Sequence, residues 1–100
     1  MRQIEIEMLY AVCNRKNMNK SNTQVQVRED GSIWVRLHGN LIAHLAHRGD
    51  SGLWQFTLAG WNTPTTRSRL RALGIDIRQR GGVPYYKGKP ISIREVYCAY

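Results

Sequence analysis

Between residues 23 and 59, apolar and polar residues alternate in four short runs separated by glycine-containing turns. Alternation at period 2 sends successive side chains to opposite faces, so each run reads as a half-buried strand. Asp30-Gly31 separates the run at 23–28 from the run at 33–38. Asp-Gly between alternating runs predicts a hairpin with a type I′ turn, which needs positive φ at both central residues. Ile33, Val35 and Leu37 then share one face with Val25 and Val27, while Trp34, Arg36 and His38 face the other way. Gly39-Asn40 leads into a third strand over 41–46. A turn at 48–52 leads into a fourth over 53–59, with Trp54, Phe56 and Leu58 on its apolar face. Consecutive strands with short turns make an antiparallel meander.

The next stretch punctuates itself differently. Thr63 is suited to cap a helix, Pro64 to occupy its first position, and Gly74 to stop it. A helix over about 64–73 is too short to persist alone and has to pack on the sheet. On a helical wheel Thr66, Leu70 and Leu73 point inward, Arg67, Ser68 and Arg71 outward, and Arg69 flanks the buried edge. Residues 75–80 and 83–86 read as two further strands around Gly81-Gly82. Residues 87–90 make another turn, and 91–93 begin a last segment. The proline in 83–86 confines that strand to an edge or a strand start. Residues 2–16 carry a helical stripe, Ile4, Met8, Ala11 and Val12, although Ile4-Glu5-Ile6-Glu7 also alternates like a strand. Their length and composition favour a helix. Residues 14–22 read as a loop. The expected fold is a single α+β domain over residues 1–100: a four-strand antiparallel meander, one short helix, two or three more strands, and an N-terminal helix if the stripe prevails.

The formal charge of +8 is unevenly spread. Residues 1–20 carry a net +2 and residues 21–62 are neutral. From residue 63 onward, Arg67, Arg69, Arg71, Arg78, Arg80, Lys87, Lys89 and Arg94 stand against only Asp76 and Glu95, a net +6. Such asymmetry points to a polyanionic partner. The alternative is that these residues only solvate an outer face. The candidate phosphate contacts are Arg67, Ser68, Arg71, Arg78, Arg80, Lys87 and Lys89. Trp34 beside Arg36, and the pair Tyr85 and Tyr86, are candidates for stacking on unpaired bases. Trp54 suits the core, and Trp61 a lid over the helix–sheet junction.

Other chemistry finds little footing. His44 and His47, three apart, would face opposite ways on a strand, and no Cys-x-x-Cys pair accompanies them, so no metal site is expected. No paired carboxylates, nucleophile elbow or phosphate loop is present, so neither catalysis nor a cofactor is expected. Cys13 and Cys98 read as reduced, partly buried thiols. No apolar run reaches the length of a membrane span, and the acids among the first seven residues argue against an export signal.

Residues 35–43, with Leu37-His38-Gly39 and Ile42-Ala43, then Leu58-Ala59-Gly60-Trp61 and Thr63-Pro64-Thr65-Thr66-Arg67-Ser68-Arg69-Leu70, followed by Gln79-Arg80, resemble in order and kind a set of small tailed-bacteriophage proteins. The resemblance spans about residues 22–90. It implies a phage product acting in the cytoplasm of a host bacterium and carries no catalytic or binding role with it. Together with the charge, it makes a phage-encoded protein that binds DNA or RNA the leading expectation. The alternative is a phage protein that binds and inhibits a host bacterial protein. An open edge at 83–93 offers a place for a homodimer to form.

Overall fold

The alternating runs pair in sequence order into one antiparallel sheet. The computed structural model describes residues 2–46 and 54–99. Helix α1 (Gln3–Cys13) precedes strands β1 (Met18–Lys20), β2 (Thr23–Val27), β3 (Ile33–Leu37), β4 (Asn40–Leu45) and β5 (Trp54–Phe56). Helix α2 (Pro64–Ala72) follows, then β6 (Ile77–Arg80), β7 (Val83–Tyr86), β8 (Lys89–Pro90) and β9 (Tyr97–Cys98). The larger sheet has six strands in the order β1-β2-β3-β4-β5-β9, and β6-β7-β8 form a separate three-stranded sheet. Every pairing is antiparallel. This is the expected α+β architecture, with the N-terminal helix formed.

Several local expectations are corrected. The stretch at 14–22 is not all loop, because Met18–Lys20 adds an edge strand against β2. The strand read at 53–59 is the three residues Trp54–Phe56; Leu53, His47 and the turn read at 48–52 lie outside the described residues. Lys89 and Pro90 are a short strand, so the preceding turn is only Lys87-Gly88. Residues 91–93 are not a strand; the chain returns to the large sheet at β9 instead. The Asp30-Gly31 hairpin forms, but its turn is not type I′. Only Gly31 of the pair has positive φ (88°), and its N–H donates to the Arg28 carbonyl while Arg28 N–H donates to Ser32. Asp30 Oδ1 accepts from both the Ser32 N–H (2.9 Å) and hydroxyl (2.6 Å), which stabilises this bulged turn. Type I′ geometry appears instead between β3 and β4, where His38 (φ 51°) and Gly39 (φ 80°) are the two-residue loop. His38 therefore does not share the outer sheet face with Trp34 and Arg36.

Helix α2 begins and ends as expected. Thr63 Oγ1 accepts from Thr66 N–H at 3.1 Å. At the other end Gly74 takes φ 91°, Ile75 N–H donates to Leu70 and Gly74 N–H to Arg71, the pattern of a Schellman stop. One core joins everything: Met8 and Ala11 of α1, Val25, Val35, Ile42 and Phe56 of the large sheet, Leu70 of α2, and Ile77 and Tyr86 of the small sheet. Cys13 and Cys98 are free and exposed, not partly buried.

Within this core lies a polar knot. Glu5 of α1 and Arg69 of α2 are each 3% exposed and meet at 2.7 Å. Ser68 also donates to Glu5, and Arg69 Nε donates to Thr23 Oγ1 of β2 at 3.1 Å. The other Glu5 oxygen accepts the Arg2 N–H at the start of α1. Burial pushes the Glu5 carboxyl up. The hydrogen bonds from Ser68, Arg69 and Arg2, with the Arg69 charge, outweigh it and hold the group below its ordinary value of 4.5. The unfolded chain therefore takes up this proton at a higher pH than the folded one. The stabilisation is complete above pH 4.5 and is lost as pH falls through the lower folded value. Thermal midpoints should hold level down to about pH 5 and then drop, and the drop should be shallower in Glu5→Gln. An equal acid drop in both proteins would assign it to other carboxylates.

Candidate nucleic-acid interface

The small sheet sorts its residues by pleat. Ile77 and Tyr86 are opposite each other and buried in the core; at the next step Pro84 is buried, while its partner Gln79 lies exposed at the end of the sheet. Arg78 with Tyr85, and Arg80 with Val83, are opposite pairs on the other, outward face. Directly opposed side chains stand roughly 5 Å apart at Cβ. Arg78, Arg80 and half-buried Tyr85 line a depression of about 310 Å³ together with Gln79 and Gly88. Arg78 Nε donates to Asp76 at 2.6 Å, but both partners are exposed and the contact engages only Nε. Arg71 is exposed at the free edge of β6, where it donates to the Ile77 carbonyl at 3.1 Å. Lys87 sits in the β7–β8 turn near the Tyr86 ring. Lys89 is opposite Tyr86 and leaves from the inner face, although it is exposed at the sheet edge.

Two expected phosphate contacts turn out to be structural. Arg67 is only 9% exposed. Its Nη1 donates to Asn62 Oδ1 at 2.5 Å and to Gln79 Oε1 at 2.7 Å, tying α2 to the preceding turn and to β6. Burial lowers its pKa, and the neighbouring Arg71 charge lowers it further. Ser68 donates to Glu5. The helical wheel placed both outward, but long-range partners cover that side of the helix.

The remaining aromatics separate. Tyr86 is buried against Phe56, so the tyrosine pair splits between core and surface. Trp34 lies on the outer face of the large sheet, with the Arg28 guanidinium 4.3 Å and the Arg36 guanidinium 5.4 Å from its ring centroid. Arg36 is itself held by Gln26 and the Gly39 carbonyl. Trp34 is thus already stacked, and Arg36 already engaged.

Sequence reasoning missed one concavity. Leu37, His38, Asn40 and Ile42 from the β3–β4 hairpin meet Leu58, Trp61, Thr63, Thr65 and Thr66 from the turn and start of α2 around a cavity of about 440 Å³. These are the two stretches that carried the phage resemblance, yet nothing in their spacing says that they adjoin. Among the described residues no group of three or more His, Cys, Asp or Glu side chains is gathered to hold a metal ion, and no helix is long and apolar enough to cross a membrane.

The model of the Kyanoviridae Gp96 protein family matches residues 1–97. The match takes in the N-terminal helix and β1, which the motif resemblance left aside. No curated protein and no solved structure matches the chain. The chain belongs to the Kyanoviridae Gp96 family and is a small bacteriophage protein.

Proposed function

We propose that this phage protein binds single-stranded DNA or RNA in the host cytoplasm, without catalysis, through the outward face of β6–β7. One observation carries the reading: Arg78 and Arg80 stand on one exposed sheet face around Tyr85, with Arg71 at its edge. Phosphates would lie on the guanidinium groups and an unpaired base on the tyrosine ring, the combination that serves non-specific single-strand binding. The basic excess of residues 63–100, where the acids are only Asp76 and Glu95, would steer a polyanion to this part of the molecule.

The test is fluorescence anisotropy with labelled mixed-sequence oligonucleotides over a salt series. Binding should weaken linearly in log–log form. Arg78→Ala with Arg80→Ala should cut the salt slope by about 1.4, since each phosphate contact on a single strand contributes about 0.7. Tyr85→Ala should lower affinity with little change of slope. No detectable binding at low salt would remove the proposal. A single bacterial protein recovered stoichiometrically after nuclease treatment would put host-protein binding in its place.

A further inference from the structure

The geometry points to the cavity beside Trp61 as a binding pocket for a nucleotide, with the planar base against the indole. It rests on the nucleic-acid reading only for where that base comes from. At about 440 Å³ the cavity lies in the size range of small-molecule sites. Its floor is apolar, made by the buried side chains of Leu37, Ile42 and Leu58. Its wall is Trp61, 58% exposed. Around the rim stand His38, Asn40 and Thr65, whose side chains hydrogen-bond no other described residue. An apolar floor with a few convergent, unengaged polar groups is the usual build of a ligand pocket.

The backbone at the cavity is also held in costly shapes. His38 (φ 51°) and Ala59 (φ 54°) are non-glycine residues in the left-handed region. They lie in the two turns that bring His38 and Trp61 to the same opening. Neither turn needs a large aromatic at its surface, and an indole left mostly in water gives up most of its burial energy. A planar ring resting on the apolar floor would recover that contact, while the Asn40 amide, the His38 imidazole and the Thr65 hydroxyl offer donors and acceptors to its edge.

Position relates the pocket to the basic face. Asn62, next to Trp61, donates to the Gly82 carbonyl at 3.3 Å and to Gln79 at 3.1 Å. That ties the residue next to Trp61 to the β6–β7 turn, which directly follows Arg80 in the chain. A strand passing over Tyr85 and Arg80 would deliver its next unpaired base to the cavity. A free nucleotide presents the same chemistry, so the experiment separates the two sources.

Labelled protein is titrated with mixed oligonucleotides and, separately, with free mononucleotides, following the Trp61 indole and Asn40 amide signals by NMR. Affinities are measured alongside for Trp61→Ala and Thr65→Val, and for His38→Asn, since asparagine tolerates the left-handed backbone. With a strand as ligand, both signals move on oligonucleotide addition. Trp61→Ala then weakens binding about tenfold or more with its salt slope unchanged. If only the mononucleotides move these signals, the pocket stands with a free nucleotide as ligand, and the strand-binding reading falls only if oligonucleotides show no affinity. If oligonucleotides bind wild type and all three variants alike, with both signals unmoved by either ligand, the pocket is overturned and the strand-binding reading survives. If nothing binds, both fall.

Discussion

Replacing Glu5 by alanine is expected to destabilise the domain by about 3–5 kcal/mol, and replacing Arg69 by alanine by a similar amount. Either change leaves one full charge, or its hydrogen-bonding partners, buried without compensation. Glu5 and Arg69 are each 3% exposed, so water cannot take over the lost role without opening the contact between the helices. A domain of this size has roughly 5–15 kcal/mol in total, so either single variant is expected to be partly unfolded at 37 °C. The pair as a whole behaves differently. Desolvating two charges offsets most of their attraction, and an apolar pair of similar volume often does as well or better. Glu5→Leu with Arg69→Met should therefore regain most of the loss, with only the Ser68 hydroxyl and the Arg2 N–H left to find partners, since the Thr23 hydroxyl still donates to Asn22. Urea denaturation of the two single variants and the double variant measures this. Single-variant losses below about 1 kcal/mol would mean that the ion pair is effectively solvated.

The parts of the fold that could be read from the sequence are those decided within a few residues. The Thr63-Pro64 start and Gly74 stop of α2 are local chemistry, and the alternating runs of β2 and β3 are local geometry. β1, β8 and β9 are only two or three residues long and lie at or near sheet edges, so no periodicity announces them. At Asp30-Gly31 a local rule lost to another local one. The aspartate side chain captured Ser32, and only the glycine took positive φ. The site was legible only where the outward direction follows from the pleat, as for Arg78 and Arg80. For α2 the wheel gave the direction of each side chain but not what waits there. Glu5 is 64 positions from Arg69, and Gln79 is 12 from Arg67, and neither acceptor is implied by the pattern of the helix itself. The cavity was hidden for the same reason. Its rim joins His38 and Trp61, two turn residues whose neighbourhood depends on how a hairpin and a helix start pack together.

Phe56→Ala should cost about 3–5 kcal/mol and act on more than global stability. Phe56 is 1% exposed in β5, with its ring centroid 5.0 Å from that of Tyr86 and 5.8 Å from that of Tyr97. One side chain thus bears on β7 of the small sheet and on β9 of the large one. Removing it opens a void at the joint between the sheets, and a three-stranded sheet of short strands has little internal stability to fall back on. Amide exchange in β6, β7 and β8 should accelerate more than in β2 and β3, because the joint opens before the large sheet does. Phe56→Leu keeps much of the volume and should show the same ranking with a smaller loss. Tyr85 and Tyr86 are consecutive and point to opposite faces, so the outward ring proposed to stack on a base is held in place by an inward ring that packs on Phe56. Oligonucleotide affinity should therefore fall in Phe56→Ala by more than the folded fraction accounts for. If the small sheet stays as protected as β2 and β3, its attachment does not depend on this ring, and affinity should then fall only in proportion to folding.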